Sequence, residues 1–145
     1  MSASSSAPAL APCPCGRLDR KGLSLPYVQC CGRYVDDFAG TPAPDAESLM
    51  RSRYTAFVRE RADYLLATWH RTTRPGSLDF EPGVKWLGLD VRARSASDAD
   101  HAEVEFVARQ RGKSGAAVRL HERSRFIREP DGELNRWYYV DGDMR

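Results

Sequence analysis

The chain has 145 residues, with 22 Lys+Arg against 20 Asp+Glu for a formal net charge of +2; 41% of residues are hydrophobic and 29% charged. That balance excludes a disordered chain and a membrane-spanning one, and a charge so near zero speaks against a general nucleic-acid coat protein. Length sets one main domain with a small appendage, and all four Cys crowd between positions 13 and 31.

Residues 1–12 are almost all Ser, Ala and Pro, with one Leu and no charged side chain. They lack the basic start and the apolar run of about 7–15 residues that a secretory signal needs, and the Arg of an organellar presequence. They read as a disordered tail. No apolar run approaches the ~20 residues of a spanning helix. The cytoplasm is then the default compartment, where thiols stay reduced and a Cys cluster is more often a metal site than a disulfide frame.

Cys13-Pro14-Cys15-Gly16 and Cys30-Cys31-Gly32 form two close pairs separated by a loop. Zinc wants four ligands at tetrahedral corners with Zn–S near ~2.3 Å, and two close pairs supply them. Cys-x-Cys and Cys-Cys are tighter than the usual ligand gaps, so each pair must sit in a turn. Pro14, Gly16 and Gly32 suit that need, and a glycine after a ligand lets a backbone N–H approach the thiolate. A disulfide or redox pair and unliganded thiols are the alternatives, although a Cys30–Cys31 bridge would close a strained ring. A site closed by Cys13, Cys15, Cys30 and Cys31 leaves no position for substrate, so the zinc is structural and holds its segment folded.

Asp36 to Pro44, with Gly40, Pro42 and Pro44, reads as a short stiff linker over 36–44. Asp45 is an N-cap, with Glu47 favourable near the helix start. Ala46, Leu49, Met50, Tyr54, Phe57 and Val58 follow the helical period, giving one helix to about Glu60. A second helix runs from about Asp63, with Leu65, Leu66 and Trp69 as its apolar side, until Arg74-Pro75-Gly76 stops it. From Val84 the period becomes two. Leu87, Leu89, Val91 and Ala93 share a face, as do Ala102, Val104, Phe106 and Ala108. Val118, Leu120 and Phe126 lie on one face of a third strand, and Trp137 to Val140 form a fourth. Ser95 to Asp100, Gly112 to Gly115 and Pro130 to Asn135 are turn-like separators. Two helices followed by an antiparallel meander give an α+β fold, with the helices in the concave face of a curved sheet.

The motif Cys13-Pro14-Cys15-Gly16 with Tyr27-Val28-Gln29-Cys30-Cys31-Gly32 resembles the SEC-C motif. That is a small zinc-binding module also found at the C-terminus of the bacterial SecA translocation motor. Ala46-Glu47-Ser48-Leu49-Met50-Arg51-Ser52-Arg53-Tyr54-Thr55-Ala56-Phe57, then Asp63-Tyr64-Leu65, Thr68-Trp69-His70, Leu120-His121-Glu122-Arg123-Ser124-Arg125-Phe126 and Arg136-Trp137-Tyr138-Tyr139-Val140-Asp141-Gly142, are similar to the YchJ-like bacterial proteins, uncharacterised protein family 0225. The resemblance covers nearly the whole chain after residue 12. It implies a SEC-C-like zinc module over 13–35 and a cone-shaped nuclear transport factor 2-like domain over 45–145; it implies no reaction. Between its pairs this chain has Gly16-Arg17-Leu18-Asp19 in place of a Lys-rich segment, and Val35 stands where relatives often carry a His, so the four thiols must suffice.

Three function classes follow. The first is a non-catalytic adaptor that meets a protein partner through the zinc module; oligomers are compatible with it. The second uses the cone interior. Glu122 and Ser124 share the apolar face of the third strand, and Arg53 interrupts the apolar stripe of the first helix. They compose a ligand pocket with Arg53 as anion clamp and Glu122 as acid or base, or else a buried Arg53–Glu122 ion pair. The third class is an RNA or ribosome contact, which is not favoured. It would use a basic strip of seven cationic residues from Arg109 to Arg128 that Glu103 and Glu105 are placed to neutralise. His121 points away from Glu122, His70 caps a helix end, His101 is exposed, and Asp141 is placed to orient a histidine without fixing which. Trp69, Trp86, Trp137, Tyr138 and Tyr139 read as core and rim. No catalytic constellation emerges, so a non-enzymatic role is favoured.

Overall fold

The structure is a computed structural model that describes residues 11–145, so the expected tail lies outside the described residues up to residue 10. Ala11 and Pro12 are already tied down: Ala11 O accepts from Tyr27 N at 2.9 Å, and Pro12 bridges Pro26. The cysteine pairs sit in turns, as their spacing demands. Gly16 is left-handed at φ 76° beside the first pair. The second pair lies between a 3-10 turn, Tyr27–Gln29, and a four-residue helix α1, Gly32–Val35. Gly32 is there for room: a Cβ would come within 2.7 Å of the Tyr27 carbonyl and ring.

Helix α2 spans Ala46–Val58, and the Asp45 carboxylate accepts from Ser48 N at 2.7 Å, so the expected cap is present. Helix α3 spans only Ala62–Ala67. The expected stop at Arg74-Pro75-Gly76 is corrected, because Thr68 to His70 leave the helix to extend the sheet. Tyr139 N donates to Thr68 O at 2.9 Å and His70 N to Tyr139 O at 2.8 Å, so the chain satisfies its backbone on a strand edge instead.

The four strands are β1 Lys85–Asp98, β2 His101–Arg111, β3 Ala117–Asp131 and β4 Leu134–Met144, an antiparallel meander in the order β1-β2-β3-β4. They outrun the expected separators: Ser95 to Asp98 pair with β2, and Pro130, Asp131, Leu134 and Asn135 close the β3–β4 hairpin. Polar residues of an open sheet's outer face look like loop residues, and here they are strand. Bulges in β1 at Trp86/Gly88 and Val91/Ala93 break the expected alternation of that strand. Leu87 is left exposed, Ala93 lies opposite Glu105, and Arg94 reaches α2. The β2 and β3 faces hold as expected. Fully buried Leu49, Leu65 and Val104 centre the core, each contributing about 1.5–3 kcal/mol.

The segment 36–44 is pinned to the rest. Asp37 accepts from Thr41 Oγ1 at 2.7 Å and from Gly40 N. Arg136, 3% exposed, donates to Phe38 O at 2.7 Å and lies 3.9 Å over its ring.

Candidate metal centre and cavity

The Sγ atoms of Cys13, Cys15, Cys30 and Cys31 all lie within 4.8 Å of one another, and all four residues are buried and free of disulfides. A tetrahedron with Zn–S of ~2.3 Å has edges of about 3.8 Å; Cys15 Sγ and Cys30 Sγ are 3.6 Å apart. The crowding also sets the proton balance. Cys13 is held far below the ordinary thiol range by hydrogen bonds from Cys15, Cys30 and Cys31. Cys30 and Cys31 are pushed well up, first by their hydrogen bonds to Cys13 and Cys15. Cys15 is opposed by its hydrogen bond to Cys13, yet those to Cys30 and Cys31 bring it down to about 7. Bare, the cluster ionises some of its thiols at the expense of the others; four thiolates together require a cation. The residues therefore fit a closed tetrathiolate metal site.

The cluster is not an isolated module. Cys13 Sγ meets Thr55 Oγ1 at 3.6 Å, Arg51 donates to Cys15 O at 3.1 Å, and Arg17 donates to Ser48 Oγ at 3.0 Å. Glu47, expected only as a favourable first-turn acid, gathers three arginines. It accepts from Arg51 Nε at 2.8 Å and Arg94 Nη1 at 2.6 Å, and Arg17 lies 3.7 Å away. One carboxylate thereby joins the cysteine segment, α2 and β1.

On the other side of α2 an open cavity of about 450 Å³ runs into the concave sheet face. Arg53, Glu122 and Ser124 all line it, as the sequence places them. The expected direct pairing of Arg53 with Glu122 is corrected. Arg53 Nη1 donates to Leu65 O at 2.8 Å and Thr68 Oγ1 at 2.6 Å, and its guanidinium lies 5.1 Å from the Trp69 ring and 4.6 Å from the Tyr139 ring. Glu122 Oε2 accepts from Ser124 Oγ at 2.5 Å and Tyr139 OH at 3.2 Å. Burial is the largest influence on Arg53 and pushes it down to about 10, with Glu122 among the groups opposing, so it stays charged at neutral pH. Burial and Glu122 raise Tyr139. Trp69, Trp86 and Tyr139 line the cavity, while Trp137 is core. Nothing in the sequence pattern marked Tyr139 or Trp69 as site residues rather than core.

Gly142 was read only as part of a family motif. A Cβ there would come within 2.7 Å of Glu122 Cδ, so the glycine is the floor on which that carboxylate rests.

The histidines and the strip sort out similarly. His121 faces away from the cavity and meets Glu105 at 2.8 Å; His101 is exposed against Asp98. His70 does not cap a helix: it is 6% exposed, with Nε2 3.0 Å from Glu129 and Nδ1 2.7 Å from Thr72 Oγ1. Asp141 orients no histidine; it accepts from Arg125 at 2.6 Å. Arg123 pairs with Glu103 and Glu105 as expected, Arg125 also with Asp143, and Arg128 with Asp100. Three of the seven strip cations are thereby engaged in ion pairs.

A cysteine cluster joined to helices that pack on an open four-stranded antiparallel sheet defines an α+β protein with a candidate metal module. Residues 45–142 match the family described as "YchJ, middle NTF2-like domain". The chain is 71% identical over 133 residues to a UPF0225 protein of Polaromonas sp. strain JS666, covering 92% of this chain and 93% of the relative. It is 52% identical over 134 residues to a UPF0225 protein of Methylibium petroleiphilum, covering 92% and 88%. It belongs to the UPF0225, YchJ-like family. Two solved structures share the architecture. A SEC-C motif containing protein from Psychrobacter arcticus has TM-score 0.77 and 30% identity over 92% of this chain and 82% of that one. A SEC-C motif containing protein from Rhodopseudomonas palustris has TM-score 0.72 and 31% identity over 92% and 98%. No helix among the described residues is long and apolar enough to cross a membrane.

Proposed function

We propose that the protein is a zinc-stapled binder of a small molecule, which occupies the cavity between α2 and the sheet. The observation that carries this reading is the cavity of about 450 Å³ with two opposite charges on its wall that are not paired with each other. Volumes of roughly 300–1,000 Å³, mostly apolar with a few convergent polar groups, are typical of ligand sites. Zinc is the metal that four thiolates with a 3.6 Å edge favour, and the cytoplasm is where such thiols stay reduced. No reaction is assigned.

Two measurements test it. Protein purified under reducing conditions carries one zinc per chain by elemental analysis; a value far below one removes the zinc. An environment-sensitive apolar dye binds the wild type and fails to bind Leu120→Trp, which fills the cavity, while circular dichroism is unchanged. Equal dye binding by the filled variant places the dye elsewhere and removes the ligand reading.

A second reading, contact with a protein partner, has its own support. Leu18, Leu23 and Val28, 56%, 61% and 45% exposed, stand out from the cysteine segment next to Arg20 and Lys21, an apolar patch with a basic rim. A Leu18→Ser/Leu23→Ser variant, which leaves the thiols intact, abolishes specific capture of that partner; undiminished capture rules this patch out.

A further inference from the structure

Resting on the ligand-binding reading, we propose that the cavity selects an electrically neutral molecule. It has an apolar body and a head that both accepts from Arg53 and donates to Glu122, a carboxamide being the simplest such chemistry.

The argument starts from what each charged group leaves unused. Arg53 Nη1 is committed to Leu65 O and Thr68 Oγ1. A guanidinium has five N–H donors, and among the described residues its Nη2 and Nε make no hydrogen bond. Glu122 commits Oε2 to Ser124 and Tyr139, while Oε1 receives no donor from the described residues. The fixed end of the site thus offers spare donors on one side and a spare acceptor on the other.

The two groups meet on one side chain without touching. Arg53 lies 4.6 Å over the Tyr139 ring, and Glu122 sits at that ring's hydroxyl, 3.2 Å from it. Tyr139 is thus the shared neighbour of both groups, and a ligand head seated beside it has the donors of Arg53 on one side and the carboxylate of Glu122 on the other. The rest of the wall is mostly apolar, with Phe57, Trp86, Phe106 and Leu120 among its residues; Gln110 also lines it, and Trp69 adds a buried indole N–H without a partner among the described residues.

Charge then decides the class. One positive and one negative group in an apolar chamber sum to zero. A carboxylate ligand would gain Arg53 but face Glu122 with like charge, and an ammonium ligand would gain Glu122 but face Arg53. Either would also bring its own desolvation cost. A neutral donor–acceptor head completes both groups and leaves no charge unpaired.

The probes are four compounds on one body: 2-naphthamide, 2-naphthoate, 2-naphthylmethylamine and naphthalene, titrated at pH 7 by calorimetry or ligand-observed magnetic resonance. The amide binds at least tenfold tighter than each of the other three. In Glu122→Gln the negative charge is gone, so the naphthoate gains at least tenfold and overtakes the amide; naphthalene, bound as in wild type, shows that the cavity is intact. Naphthoate or the amine binding wild type as tightly as the amide overturns the neutral-head selection while the ligand reading stands. An unchanged naphthoate affinity in a Glu122→Gln protein that still binds naphthalene overturns it too. If none of the four binds the wild type, the ligand reading falls and takes this inference with it.

Discussion

Substituting Gly142 by Ala tests whether the position of Glu122 is set by the backbone opposite it. A Cβ at 142 would come within 2.7 Å of Glu122 Cδ and 2.9 Å of Cγ, too close to share the space, so the carboxylate must move. Gly142 is not left-handed, so the alanine itself should gain about 0.4–1 kcal/mol by restricting the unfolded chain. Against that, Glu122 loses the donors Ser124 Oγ and Tyr139 OH, each bond to a charged acceptor contributing about 1.5–3 kcal/mol. Cavity water recovers part of the loss, and the expected net is a destabilisation of about 2 kcal/mol. The decisive measurement is a double-mutant cycle by urea denaturation. Glu122→Ala vacates the contested volume, so the pair Gly142→Ala/Glu122→Ala should be more stable than the sum of the singles by about 1–2 kcal/mol. Additivity to within about 0.5 kcal/mol would show that the two residues do not compete for space and would refute the reasoning.

Two further perturbations probe the joints of the fold. Glu47→Ala strands three arginines at once; the Glu47 and Arg51 side chains are only 10% and 15% exposed, but Arg94 and Arg17 are wetter. Discounted for that screening, the expected cost is about 2–3 kcal/mol, read as a drop in thermal midpoint, and a shift within error would remove Glu47 as the joint. Glu129 is held below the usual carboxylate range, first by its hydrogen bond with His70 and then by Arg71. Its contribution is present above the unfolded carboxyl value near ~4.3 and is lost as pH falls through the lower folded value. Glu129→Gln should therefore lower stability at pH 7 and make the fall in stability below about pH 5 shallower than in wild type; an identical acid limb in both proteins contradicts the linkage.

Sequence made some of this legible because the cause was local. The cap at Asp45 is a side chain reaching three residues along its own helix, and the turns at the cysteines follow from ligand spacings too short for regular structure. The inner face of β3 was readable because its pairing with β2 runs without a bulge from Ala117 to Ile127. β1 was not, because bulges at Trp86/Gly88 and Val91/Ala93 reset an alternation that the sequence alone presents as unbroken. Likewise α3 ends at Thr68 because of an edge on β4 about 70 residues later in the chain, and no local stop signal records that. Arg53 and Glu122 both line one cavity, a placement that strand and helix periodicity makes legible. Their partners are not legible in that way, since Tyr139, Trp69 and Thr68 intervene only in three dimensions.

Helix α2 explains why the cysteine cluster and the cavity should not be independent. Ser48, Arg51 and Thr55, spaced three and four apart, meet the cysteine segment, while Met50, Arg53, Tyr54 and Phe57 recur at the same helical spacing and line the cavity. A helix buried on two faces, with polar Ser48, Ser52, Thr55 and Arg53 all inside, cannot hold its place by one apolar stripe; it needs both neighbours. Stripping the metal with a chelator under reducing conditions leaves buried thiols and removes the support of one face. Amide exchange at α2 should then accelerate by at least tenfold and the apolar dye should dissociate, while the central β2–β3 pairing, whose contacts lie on the far side, keeps its protection. If α2 protection and dye affinity survive complete metal removal, the helix stands on the sheet alone and the cysteine cluster is an appendage to it.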